Sequence, residues 1–208
     1  MKKPRLVAFG CSYTHGHTLA DCPYPESNPS DIAWPKKLAK LLKRRTINMG
    51  IAGASNKEIL YSIQRCDFLH DDIAVILWTY TNRDCIILDD EISIMQGLPA
   101  TKTYMPLPKD KWYHIKRAHS DYDGQHQMWT CMNYAKYQLD SLGVKNYHFT
   151  INREYVQNPP KWNRVHIIDL CFQTLTDDLP KATDDRHPGP IAHEVLARSM
   201  KVRINAHN

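Results

Sequence analysis

The sequence predicts an α/β fold built on a parallel sheet. Three observations carry that expectation. Short apolar runs alternate with amphipathic segments through the first half of the chain. The run Ile73–Trp78 is apolar throughout, as a strand covered on both faces must be. Glycine- or turn-rich loops follow three of these runs, where a parallel sheet feeds its crossovers.

Each element follows in order. Arg5–Phe9 reads as a buried strand that ends in a sharp turn at Gly10. Asp21–Ser30 carries three prolines and reads as a loop. Ile32–Arg44 places Trp34, Leu38, Leu41 and Leu42 on one helical face, with Pro35 suited to its first turn. Thr46–Met49 reads as a second strand, Gly50–Asn56 as a loop and Lys57–Asp67 as a helix. Ile73–Thr79 is the third strand. Asp84–Trp112 mixes β-type runs with prolines and reads as an insertion over the sheet edge. Ser120–Leu142 is a long helix, Tyr147–Ile151 and Arg164–Leu170 are strands, and Gly189–Val202 is a final helix opened by Pro190.

The chain has 208 residues, 42% hydrophobic and 24% charged, which fits one globular domain over 1–208 with a variable insertion at about 84–112. No apolar run approaches the ~20 residues of a membrane span. The basic N-terminus precedes only Leu6–Phe9, too short for a signal-peptide core of about 7–15 residues, so a cytoplasmic protein is expected. The net charge of +5 is too diffuse to mark a nucleic-acid binder, and none is expected as partner. The cluster Lys36, Lys37, Lys40, Lys43, Arg44 and Arg45 reads as the solvated face and C-terminal end of a helix. Six cysteines without a C-x-x-C pair read as reduced thiols rather than a zinc ribbon. Eleven histidines form no H-E-x-x-H pattern, and no metal or cofactor is expected.

Ligands of open α/β sheets sit at the carboxyl ends of the strands. The loop after the first strand offers Ser12, the loop after the second a glycine-rich backbone up to Gly53, and the loop after the third Asn82. These are a hydroxyl nucleophile, a backbone N–H donor and an amide donor, the parts of an acyl-transfer site. Asp184-Asp185-Arg186-His187 supplies an imidazole and a carboxylate from one loop ahead of the last helix.

These residues resemble the SGNH hydrolases, the GDSL family of esterases and lipases. Phe9-Gly10-Cys11-Ser12 matches the family's Gly-Asp-Ser block, and Asn48-Met-Gly-Ile-Ala-Gly53 its second block. Tyr80-Thr81-Asn82-Arg83 stands where the family has Gly-x-Asn-Asp, and Asp184 to His187 matches Asp-x-x-His. Ala33-Trp34-Pro35 with Leu38 and Asn48 is similar to a branch common in phage and marine bacterial sequences. The resemblance implies a three-layer α/β/α sandwich with a mainly parallel, flavodoxin-like sheet. It implies Ser12 as nucleophile, His187 as base and Asp184 as its orienting carboxylate. The oxyanion hole would be the Ser12 N–H, the Gly53 N–H and the Asn82 side chain. The substrate would be a small-molecule or glycan ester, O-acetyl groups included.

The chain departs from the pattern twice. Cys11 replaces the Asp of the first block, and Arg83 replaces the Asp of the third, which also lacks its Gly. Other readings stand beside this one. Cys11 is a rival nucleophile, although its side chain is expected to point away from the site. A catalytically inactive binding or phage-associated structural protein could use the same fold. Asp185 competes with Asp184 for the carboxylate role. His15 and His17 read as surface-loop histidines, with substrate contact as the alternative, and Tyr13, Trp78 and Tyr80 as pocket or core aromatics.

Overall fold

The computed structural model describes residues 3–23, 28–88, 91–95 and 121–207. Strands β1 (Arg5–Gly10), β2 (Arg45–Gly50), β3 (Ile73–Trp78), β6 (Lys145–Thr150) and β7 (Ile167–Cys171) form one sheet in the order β2-β1-β3-β6-β7. Every pairing in it is parallel. Among these five strands the order is 2-1-3-4-5, the flavodoxin-like arrangement. Helices α2 (Trp34–Leu41) and α6 (Pro190–Ala206) pack together over one face. Helices α3 (Asn56–Gln64) and α4 (Asp121–Ser141) pack together over the other.

The sequence explains these layers. Leu6 to Phe9 and Ala74 to Trp78 are fully buried between the helical layers, so both strands can be apolar on both faces. Trp34 and Leu38 face the sheet from α2, each burial contributing about 2 kcal/mol or more. Pro35 sits in the first turn of α2 and Pro190 in that of α6, where a missing N–H costs nothing. Ser55 caps α3 by accepting from the Glu58 N–H at 3.2 Å, and the Glu58 carboxyl is bonded in return by the Ser55 N–H. In the basic cluster, Lys36 pairs with Asp31 and Lys37 with Glu194, while Arg44 donates to main-chain carbonyls of Arg5 and Asp71.

Within 84–112 the structure shows an antiparallel hairpin, β4 (Asp84–Leu88) and β5 (Glu91–Met95). It stands beside α3, with Lys57 and Asp84 paired at 2.8 Å. The remainder of that insertion, 96–112, lies outside the described residues. Three short elements were not expected from the sequence: α1 (Ser12–His15), a 3-10 turn at Arg153–Val156 and α5 (Phe172–Thr176). Each is too short to show a periodicity. Trp78 belongs to the core and not to a pocket. It is fully buried, stacks on His148 and donates its indole N–H to His148 Nδ1 at 3.0 Å. Burial lowers the His148 pKa to about 3, so the neutral ring can accept that bond and donate from Nε2 to Asn146. All six cysteines are free thiols.

Candidate active site

The turn after β1 is clamped by the end of β2. Cys11, in extended backbone, caps α1, and Ser12 is the first helical residue. Asn48 donates from Nδ2 to the Thr14 carbonyl at 2.8 Å, while its Oδ1 accepts from the Gly50 N–H at 2.9 Å. A Cβ on Gly50 would lie 2.3 Å from the His15 nitrogen, so only glycine permits this backbone approach. As first residue of a helix, Ser12 has an N–H with no intrahelical acceptor. Its hydroxyl is buried and lies 4.0 Å from the Cys11 sulfur. Cys11 itself points into the core and is fully buried.

The second half of the site is a loop closed on itself. The Ala182 N–H donates to the His187 carbonyl at 2.8 Å, and the Gly189 N–H to the Pro180 carbonyl at 3.0 Å. The Thr183 hydroxyl donates to the Thr18 carbonyl at 2.9 Å, tying this loop to the chain just after α1. Inside it, Asp184 Oδ2 bonds His187 Nδ1 at 2.5 Å, and Asp184 Oδ1 accepts from the Arg186 and His187 N–H groups. Burial acts to raise the Asp184 carboxyl, but the bonds from the His187 N–H, the His187 ring and the Arg186 N–H outweigh it. They hold Asp184 well below the usual carboxylate range. Asp185 is exposed in left-handed backbone (φ 56°).

The two halves meet through Tyr13. Its ring lies edge-on to His187 at 5.7 Å between centroids, and His17 lies against the same imidazole at 5.2 Å. Among the described residues, no hydrogen bond joins Ser12 to His187. Gly53 is buried in left-handed backbone (φ 83°), and its N–H has no acceptor among the described residues. Asn82 is exposed in the turn after β3, and its side chain makes no hydrogen bond among them. His15 is buried against Cys22 at 3.5 Å and is no surface residue, whereas His17 is half-buried. Burial lowers the pKa of His17, helped by the neighbouring His187 and His15.

An aromatic wall adjoins this centre. Tyr13 stacks on Phe172 at 4.9 Å, and its hydroxyl meets that of Tyr80 at 3.0 Å. Gln173 donates to the Tyr80 hydroxyl at 3.4 Å, and Tyr155 packs edge-on to Tyr80. Burial raises the pKa of both Tyr13 and Tyr80, so neither phenol ionises at neutral pH. Arg83 lies over the Tyr80 ring at 4.9 Å and donates to Thr79 Oγ1 at 3.2 Å. Behind the wall, buried His193 accepts from the Trp34 N–H at 3.2 Å and is bonded to the Pro188 main chain. Phe172, Gln173, Tyr155 and His193 carried no signal in the sequence. Long-range packing brings them here. No group of three or more His, Cys, Asp or Glu side chains among the described residues is placed to hold a metal ion. Among the described residues, no helix is long and apolar enough to cross a membrane. A cleft of about 610 Å³ runs along β7, and none of the expected site residues lines it.

No protein-family model matches the chain, and no curated protein matches it in sequence. Solved structures do match it in fold. A protein assigned to the G-D-S-L lipolytic family, from Desulfitobacterium hafniense DCB-2, superposes with a TM-score of 0.57 at 13% identity, covering 96% of this chain and 98% of that one. A carbohydrate esterase whose active site shows divergent catalytic and non-catalytic binding functions gives 0.54 at 14% identity, covering 99% and 69%. The psychrotrophic esterase EstA from Pseudoalteromonas sp. gives 0.50 at 11% identity, covering 97% of each chain. The chain therefore has the three-layer α/β/α fold of the SGNH hydrolases, the fold of these lipolytic proteins and esterases.

Proposed function

We propose that this protein hydrolyses carboxylic esters through Ser12, His187 and Asp184. The observation that carries this reading is the Asp184–His187 pair, held by its own loop beside the residue that follows Ser12. With Nδ1–H bonded to the carboxylate, Nε2 of His187 is left as the basic nitrogen. The Ser12 hydroxyl leaves the Cys11 sulfur, gives its proton to Nε2 and attacks the ester carbonyl carbon. Such contacts often tighten only when substrate binds. Negative charge on the carbonyl oxygen is met by the N–H groups of Ser12 and Gly53 and by the Asn82 amide. His187 then returns the proton to the departing alcohol, leaving an acyl group on Ser12. Water repeats the steps in reverse, and the carboxylic acid is released. O-acetylated glycans are a substrate class that fits, as the similarity to a carbohydrate esterase fold suggests.

Hydrolysis of p-nitrophenyl acetate tests this. Ser12→Ala should lower kcat/KM by about 10³-fold or more while the protein stays folded. Cys11→Ala should retain most of it. If Ser12→Ala keeps wild-type rates and Cys11→Ala loses them, the nucleophile is the thiol. A second reading, a non-catalytic binding protein, is favoured by the missing Ser12–His187 bond and the exposed Asn82. Absence both of turnover and of fluorophosphonate labelling at Ser12 would select it.

A further inference from the structure

Arg83 is a half-buried cation without a carboxylate partner among the described residues. Its neighbour Asp84 is already engaged by Lys57 at 2.8 Å and by the Cys85 N–H at 2.7 Å. The guanidinium lies over Tyr80, and one nitrogen, Nη1, is bonded to Thr79. The rest of its donor edge has no protein acceptor among the described residues. The Tyr80 contact and the Thr79 bond restrain the guanidinium, so less side-chain entropy remains to be lost when a planar anion binds. A carboxylate suits that fork through two parallel N–H···O bonds.

The position matters as much as the charge. Tyr80, beneath Arg83, shares a hydroxyl contact with Tyr13, and Tyr13 adjoins both Ser12 in sequence and the His187 ring in space. The charge of Arg83 acts on both phenols. An anion held by Arg83 would therefore lie at the far end of the same aromatic wall that borders the reacting centre. A cation kept half-buried there, with no acidic partner among the described residues, is matched by a substrate that brings its own.

We propose that Arg83 is a substrate-binding residue that selects esters bearing a carboxylate, such as acetylated acidic sugars, and holds that anion against the Tyr80–Tyr13 wall during turnover. This rests on the ester-hydrolase reading above and names its substrate class.

The test compares three esters: neutral phenyl acetate, 4-acetoxybenzoate with the carboxylate on the alcohol side, and mono-p-nitrophenyl succinate with it on the acyl side. Each is assayed with wild type, Arg83→Gln and Arg83→Lys. Arg83→Gln should reduce kcat/KM for one of the anionic esters about tenfold or more relative to phenyl acetate, mainly through KM. The ester affected shows on which side the anion sits. Arg83→Lys should be intermediate, because it keeps the charge but loses the fork. The wild-type preference for that ester should also fall between 0.05 and 0.5 M salt, a measurement that needs no variant. If both anionic esters stay within about twofold of phenyl acetate in Arg83→Gln, and salt changes nothing, the proposal is overturned while ester hydrolysis stands. If no ester is turned over, calorimetric binding of 4-acetoxybenzoate to wild type and Arg83→Gln decides. Arg83-dependent binding supports the anion site without the hydrolase, and its absence removes the site.

Discussion

Asp184 takes two hydrogen bonds from one residue, the ring N–H of His187 at 2.5 Å and its main-chain N–H at 3.0 Å. The carboxylate thus fixes the imidazole to its own backbone. The orientation of the imidazole is decided within four residues and needs no partner from another element.

The neighbouring aspartates should separate cleanly. Asp184→Asn removes the anionic partner and should lower kcat by about 10³- to 10⁴-fold. Asp185 is exposed, and asparagine tolerates its left-handed backbone, so Asp185→Asn should remain within about twofold of wild type. Equal losses in steady-state assays would show that the loop acts only as a scaffold.

The low pKa of Asp184 sets a pH window. Its folded value lies below its unfolded value, so its contribution to stability is fully present above the ordinary aspartate value of about 3.9. It declines as pH falls from there towards the lower folded value, below which it is gone. The difference in urea midpoint between wild type and Asp184→Asn should persist from pH 7 to pH 5.5, and should shrink below about pH 4. A difference that already closes near pH 5.5 would contradict the hydrogen bonding described.

Glu58 should work in the opposite direction. It is 3% exposed, one carboxyl oxygen has no partner among the described residues, and burial raises its pKa to about 7. The folded chain therefore holds a proton that the unfolded chain has lost. Stability should fall as pH rises from about 4.5 to about 7 and then level, by up to about 3 kcal/mol. Glu58→Gln can keep the helix cap and should be more stable than wild type at pH 8 but not at pH 4.5. Paired urea titrations at the two pH values check this.

Gly50→Ala should damage fold and activity together. The added methyl meets main-chain atoms of Thr14 and His15, which cannot rotate away. A cost of about 3 kcal/mol is expected, with the loss of ester turnover exceeding that expected from the unfolded fraction, because the clash displaces the turn that carries Ser12. Thermal unfolding beside assays well below the midpoint separates the two effects.

The sheet was legible because its central strands, β1 and β3, are long enough to show a pattern and are apolar on both faces. Ile73 to Trp78 is the plainest case. The Asp184–His187 pair was legible because it is local, three residues apart in one turn. Of the aromatic wall, Tyr13 and Tyr80 were legible as candidates, but the packing that builds it was not. Phe172 reaches Tyr13 across 159 positions of sequence, and no local pattern encodes that stacking. For Trp78 the sequence left pocket and core both open, and the structure selects the core. At the end of a strand it has a pocket-lining position, and only the buried partner His148 shows that its polar edge is already satisfied.

The bond from Trp34 to His193 carries a further consequence. Ser12 lies near the start of the chain, whereas the imidazole that would activate it lies near the end, in a loop whose last anchor is the helix docked on α2. The docking of α6 on α2 thus also places the loop that carries His187. On the ester-hydrolase reading, loosening that helix contact would misplace the imidazole without touching Ser12.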